Sequence, residues 1–474
     1  MSLLIPGTNS IKDTGYEVTN SLRVDTAAND HLSRSISSAG SGQIWTASAW
    51  FKRSVLGQSA SIYCSSKSDT TANFRSLFIE GADRVQCAFY DGGYTFQVET
   101  SALLRDPSAW YHIVTAVDTT QSTDTNRVKI YINGTLQTSF STANYPSHNS
   151  TLNFSGTDIK QLVSSLRDGS SIHNSGYIAE LHILDGVAKQ ASDFGEYDED
   201  SPTIWKPKAY DGSYGTNGFY MEFKESGTSA NSSGIGADTS GNNNHFSVHN
   251  ITALNQSTDT CTNNFATMNP LDNYYYSTAF SQGNLKLTFN ASNYGWNTST
   301  FGLSQGKWYL EIKIVSGSSH TTGIVDRSPT ASQQDLSAQS FSSQYGVNGT
   351  AYVNGSSSAS YSTFTNGDII GIALDLDNNK LYYSKNGTFQ GSSDPSAGSG
   401  GLSITDPTSV PNGFYFIAVG DSGTSGNPVS EVNFGSPTFS ISSGNSDANG
   451  YGNFEYSVPT GFYTINTKNL AEFG

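Results

Sequence analysis

The stretch Gly367–Gln390, GDIIGIALDLDNNKLYYSKNGTFQ, limits the fold more than any other part of the chain. Ile370, Ile372, Leu374 and Leu376 recur at period two, which places them on one face of an extended strand. The chain turns at Asn378-Asn379 and comes back with Leu381 and Tyr383. Asn tolerates the positive φ of a mirror-image turn, so the pattern predicts a hairpin with a two-residue loop flanked by Asp377 and Lys380. A second turn signal, Asn386-Gly387, comes directly after. One apolar and one polar face mean that this hairpin needs a second layer to cover it.

The same reading extends along the chain. Ile44–Lys52, Ala60–Ser65, Ser76–Glu80, Arg84–Tyr90, Trp110–Asp118, Arg127–Ile132 and Gly176–Leu184 read as strands, with Asn133-Gly134 closing a hairpin. Leu285–Phe289, Lys307–Val315 and Phe414–Val419 form a second set with the organising hairpin. Only 14% of residues are charged, 35% are hydrophobic and 12% aromatic, so the core draws on Tyr, Phe and Val. Recurrent apolar alternation separates this composition from that of a disordered chain. The expected fold class is all-β, two antiparallel β-sandwiches in tandem. The expected organisation is an arm over 1–21, a sandwich over 22–208, a Gly/Asn-rich connector over 209–266, a sandwich over 267–437 and a polar segment over 438–474. That last segment ends in GFYTINTKNLAEF, whose apolar residues are expected to pack back on a domain or a neighbouring subunit.

A net charge of −16 repels phosphate backbones, so no nucleic-acid partner is expected. No apolar run approaches the roughly 20 residues of a membrane-spanning helix, so no membrane insertion is expected. The N-terminus lacks a basic region followed by an apolar core. Cys64, Cys87 and Cys261 are too few and scattered for a disulfide framework.

In order, IWTASAWFKRS, AWYHIVTAVD, VKIYINGTLQTSF and YIAELHILDGVA resemble the concanavalin A-like, laminin-G-like jelly-roll family over about 22–195. That resemblance implies glycan binding at a sheet face or loop rim, in some members with calcium. GKWYLEIKI, the organising hairpin and VNFGSPTF resemble the SPRY family, which implies a sandwich that binds partners through loops without catalytic machinery. The domain pair, with SPTIWKPKAYDGSYGTNGFYMEF and TNNFATMNPLDN between, resembles virion proteins of tailed phages of marine bacteria. Likeness to that group implies a non-enzymatic tail fibre or spike at the phage particle surface. Its partners would be host-surface glycan and other virion proteins, in a symmetric oligomer with a trimer favoured. A capsid decoration or tail adaptor protein is the alternative, and a glycoside hydrolase the remote one.

The catalytic and metal patterns are incomplete. Glu196-Tyr197-Asp198-Glu199-Asp200 is the nearest match to a paired-carboxylate hydrolase motif, but Asp200 is one methylene short and the stretch reads as a solvated loop. Gly420-Asp421-Ser422-Gly423 lacks a matching His motif and reads as a turn. Asp238, Asn242 and Asn244 offer an oxygen cluster for calcium, with a plain Asx-rich turn as the alternative. No catalytic residue and no metal site are expected. For glycan or partner binding, aromatic faces stack on sugar rings while Asp and Asn bond hydroxyls. Tyr90, Asp91 and Tyr94 around a tight turn, and Tyr294 and Trp296 in an Asn-rich loop, are the candidates. Tyr274–Tyr276 form a run that cannot face one core throughout. The two halves also echo each other, Asn133-Gly134-Thr135-Leu136-Gln137 against Asn386-Gly387-Thr388-Phe389-Gln390.

Overall fold

The computed structural model describes residues 15–67, 72–152, 154–166, 172–275, 278–290, 294–327, 335–423 and 426–474. Most of the expected N-terminal arm, Tyr276 and the residues after Gly423 in the Gly420 turn lie outside this set. The chain divides into two compact units, one ending at Thr262 and one formed by Asn263–Gly474. Both are antiparallel β-sandwiches, as the alternating pattern requires.

In the first unit one sheet runs in the order Thr135–Leu136, Val128–Ile132, Trp110–Asp118, Ile44–Arg53, Gly176–Asp185, Ser21–Val24 and Gln256–Ser257. The facing sheet runs Phe140–Asn144, Tyr94–Leu103, Arg84–Tyr90, Asn73–Ile79, Ala60–Lys67, Ile159–Val163, His31–Ser35 and Ser247–His249. Trp45, Ala47, Ala49 and Phe51, at period two, enter the core between them with Ile113, Val117, Ile130 and Phe154. Trp45 stacks on Phe154 at 4.4 Å.

Up to Thr262 the stretch read as a connector, with a strand to donate to either neighbour, is part of this sandwich. Phe219–Met221 pairs with Gly176–Asp185, Ser247–His249 with His31–Ser35, and Gln256–Ser257 with Ser21–Val24. Asp259 supplies the buried partner of Lys52, at 2.7 Å, and accepts from the Trp110 indole N–H at 3.1 Å. Such strands of two or three residues carry too few apolar positions to show a period.

The second unit has one sheet in the order Met268–Tyr274, Gly295–Ser299, Phe416–Asp421, His320–Val325, Ser342–Gly346, Thr350–Val353 and Ser356–Ser360. The other runs Ala279–Ser281, Lys286–Thr288, Val429–Asn433, Lys307–Ser316, Ile369–Asp375, Lys380–Lys385 and Thr388–Phe389. Ile370, Ile372, Leu374, Leu376, Leu381 and Tyr383 all enter its core, as their spacing predicts. The loop of the organising hairpin differs from expectation. It has four residues, with Asp375 opposite Lys380. The Asp375 carboxylate accepts from the Asn378 backbone and side-chain N–H groups at 3.0 and 2.9 Å, which closes the loop from its first strand. Asp377 instead accepts from the Gly306 N–H at 2.8 Å, so it does not pair with Lys380.

The polar segment after residue 437 packs back on this second unit. Phe454 and Phe462 cover Tyr309, Ala373 and Tyr382 on the outer sheet face, and Tyr463–Thr464 lies parallel to Lys307–Ser316. Glu311, buried in that face, accepts from the backbone N–H groups of Glu455 and Tyr456 at 2.9 and 2.8 Å and from the Tyr309 hydroxyl at 3.1 Å. Burial still pushes its carboxyl above the ordinary range.

Candidate binding sites

Tyr90 ends one strand and Tyr94 begins the next, and Gly92 at φ 70° makes the turn between them. The rings meet edge to face at 5.3 Å. Arg75, from the neighbouring strand, lies 5.8 Å from the Tyr90 ring and 5.5 Å from the Tyr94 ring. Its guanidinium donates to the Tyr94 hydroxyl at 2.9 Å, to Gln86 at 3.0 Å and to Asn73 at 3.1 Å. Tyr94 remains 40% exposed and Asp91 is exposed at the tip. A recess of about 210 Å³ beside it is lined by Asn73, Phe89 and Asp91 among others. Tyr90, Asp91 and Tyr94 therefore do come together. Arg75 was not legible as a member, because only the strand register brings it alongside.

The second aromatic pair does not form a site. Gly295–Ser299 is a strand, not a loop, and Trp296 is 0% exposed. Tyr274 stacks on it at 3.7 Å, with Val325, Leu336 and Ala418 around it. The small Ala418 on the adjacent strand leaves room for the indole, and the Tyr274 ring closes over it. Tyr294 is half-buried outside that cluster.

The acidic stretch is not a solvated loop throughout. Gly195–Tyr197 pairs with Trp205–Pro207. Asp198 receives Lys206 at 3.1 Å and the backbone N–H groups of Asp200 and Ser201, which hold its carboxyl below the usual range. In the Asp238 turn, the carboxylate accepts from the N–H groups of Tyr220, Ser240 and Asn244 at 2.8–3.0 Å. Asn242 and Asn244 donate their amides to the carbonyls of Gly215, Thr216 and Gly218. These oxygens and amides tie the turn together. Among the described residues, no group of three or more His, Cys, Asp or Glu side chains is placed to hold a metal.

Trp205 reaches the outer face of the first sheet. Its indole N–H donates to His112 Nδ1 at 3.0 Å, and His112 Nε2 lies 2.9 Å from Ser48 Oγ. Indole is a donor only, so His112 Nδ1 accepts and Nε2–H donates to Ser48. Burial pushes the His112 pKa down to about 3, which keeps the ring neutral. Trp205, the exposed Tyr197 and Glu196 line a recess of about 340 Å³. In the second unit an open cleft of about 840 Å³ lies beside Gly387, Phe389, Asp394 and Tyr456.

Residues 26–192 match the model of the concanavalin A-like lectin/glucanases superfamily in its laminin G form, and residues 307–393 match the SPRY domain. The chain thus carries a concanavalin A-like domain followed by a SPRY domain. Among solved structures it is similar to the SPRY domain of human HERC1, at 17% identity over 35% of this chain and 96% of that one, TM-score 0.28. It is also similar to the heptameric SAP-like pentraxin of Limulus polyphemus, at 11% identity over 37% and 80%, TM-score 0.27. No curated protein sequence matches.

Proposed function

We propose that this is a non-catalytic binding protein of a phage virion, a tail-fibre or spike-type appendage that engages host-surface glycan through its concanavalin A-like unit. The Tyr90–Asp91–Tyr94 tip carries this reading. Two aromatic rings held in fixed geometry by Arg75, next to an exposed carboxylate, supply the stacking face and hydroxyl acceptor that sugar recognition needs. The domain pair supports a binding role, and the carboxylates nearest to a hydrolase pattern support a non-catalytic one, since Asp198 is engaged by Lys206. The appendage would be a homo-oligomer, a trimer being favoured, among other virion proteins.

A glycan array probed with the chain and with its Tyr90→Ala/Tyr94→Ala variant tests the site. Binding that the variant loses supports it, and binding that the variant keeps removes the tip from the reading. Cryo-electron microscopy of intact particles tests the location. A tip facing solvent on a tail appendage supports the attachment role, whereas a tip buried against head or tail marks a decoration or adaptor protein.

A further inference from the structure

Both units build the same hairpin to the level of single hydrogen bonds. Asn133 and Gly134 turn at φ 46° and 79°, Asn386 and Gly387 at 49° and 78°. The Asn133 N–H donates to the His112 carbonyl and its side-chain oxygen accepts from the His112 N–H, both at 2.8 Å. Asn386 does the same with Ile369, at 2.8 and 2.9 Å. Gln137 and Gln390 each return a side-chain amide to the carbonyl two residues back, of Thr135 and Thr388, at 3.1 and 2.8 Å.

Each hairpin also carries an aromatic ring on its bare glycine. A Cβ on Gly134 would stand 2.5 Å from Trp205, and one on Gly387 2.5 Å from Tyr456. A group buried in the sheet holds the Trp205 ring itself and, at the second hairpin, the backbone that carries Tyr456. His112 accepts from the Trp205 indole, and Glu311 accepts from the Tyr456 backbone N–H. Beside each ring lies one of the two recesses, of about 340 and 840 Å³, within the roughly 300–1,000 Å³ of small-molecule sites.

We propose that the two Asn-Gly hairpins are the floors of two matched subsites, one per unit, each taking a short neutral oligosaccharide. The chemistry of the walls selects that class. Each recess offers a fixed aromatic ring and one exposed carboxylate, Glu196 in the first and Asp394 in the second. Asp394 Oδ1 accepts from the N–H groups of Ser396 and Ala397, and Oδ2 has no partner among the described residues. The lining of the larger cleft holds no Lys or Arg, and in the smaller one Glu196 stands with Lys208 in the lining and Lys206 Nζ at 4.0 Å, so neither recess is built around a lone cation for an anion. A ring face to stack on and a carboxylate to accept hydroxyl protons suit an uncharged polyol. Pre-fixed rings also reduce the ordering cost of binding. The assignment shares its ligand class with the proposed function but uses none of the tip residues, so either can fail alone.

The test titrates the full chain carrying Tyr90→Ala/Tyr94→Ala, which removes the tip from the count, with neutral gluco-, galacto- and manno-configured di- to hexasaccharides by calorimetry. It then repeats the best titration with Tyr197→Ala/Glu196→Gln, with Tyr456→Ala/Asp394→Asn, and with all four changes. Tyr197 lines the same recess, meets the Trp205 ring edge to face at 4.9 Å and is 46% exposed, so its truncation opens that wall and spares the core, and unchanged thermal transitions serve as the folding check. The expected result is two sites per chain, with each pair of changes removing one site or weakening it about tenfold or more. The inference is overturned if the fourfold variant binds like its parent, if a stoichiometric site survives all four changes, or if no neutral saccharide binds.

Discussion

Replacing Asp259 with alanine is expected to destabilise the first unit far more than its distance from the family-matched residues 26–192 suggests. Lys52 and Asp259 are 1% and 2% exposed, and their charged atoms lie 2.7 Å apart. Taking away the carboxylate strands an ammonium group in the interior, which costs about 3–5 kcal/mol. The Trp110 indole N–H loses its acceptor at 3.1 Å as well, adding about 1 kcal/mol or more. Against a domain stability of about 5–15 kcal/mol this is a large fraction. At about 2–4 °C per kcal/mol for a unit of this size, its midpoint should fall by about 8–24 °C. Differential scanning calorimetry of the whole chain measures this, with the Asn263–Gly474 transition as internal reference. Lys52→Met/Asp259→Leu should recover most of the loss, since an apolar pair of similar volume replaces a buried ion pair at little cost. A shift of only a degree or two for Asp259→Ala would refute the claim that residues 209–262 are integral to the first sandwich.

Acid should destabilise both units through their buried histidines. His320 Nε2–H donates to the Ser316 carbonyl and Nδ1 accepts from Ser430 Oγ, and burial lowers its pKa to about 4, as that of His112 falls to about 3. Below an ordinary histidine pKa of about 6.5 the unfolded chain binds protons that the folded chain refuses, so stability drops about 1.4 kcal/mol per pH unit per ring until those lower values are reached. Melts between pH 7 and 4.5 should show this, and His320→Gln should flatten the slope of the second unit alone. Burial raises the Cys64 and Cys87 thiols to about 12 and that of Cys261 well above its ordinary value, so a thiol reagent at pH 8 should label none of the three until the chain unfolds. Gly134→Ala and Gly387→Ala should each cost about 1–2 kcal/mol for the left-handed backbone, plus the displacement of Trp205 or Tyr456, read as a lower midpoint of the unit concerned.

Where one sheet face is buried, the strands were legible, because Ile370 to Leu376 or Trp45 to Phe51 must alternate to reach a core. Ser342–Gly346, Thr350–Val353 and the edge strand Ser356–Ser360 were not, since short strands made largely of Ser, Thr, Gln and Ala carry little apolar signal. Trp296 misled for a related reason. An Asn-rich neighbourhood reads as a loop, and nothing local announces that Tyr274 will cover the indole. The Tyr90–Tyr94 tip was visible because its partners are adjacent in sequence. Arg75, Trp205 and Tyr456 reach their places through pairings between distant strands. The echo of the two Asn-Gly segments was the one local trace of the matched hairpins.

Ser21 and Leu22 pair with Ser257 and Gln256, so the first and last strands of the first unit are neighbours in one sheet. No ribosome can deliver those partners together. At about 5–20 residues per second, the opening strand waits some 10–50 s for its mate to emerge. During that interval the Ser21–Val24 strand can pair on one side only, with Gly176–Asp185, and a sheet rich in Val, Ile and Tyr stands with an open edge. The fold therefore closes only after its whole length has been made, and the yield of active protein should depend on how slowly, and in what chaperone company, the chain is synthesised.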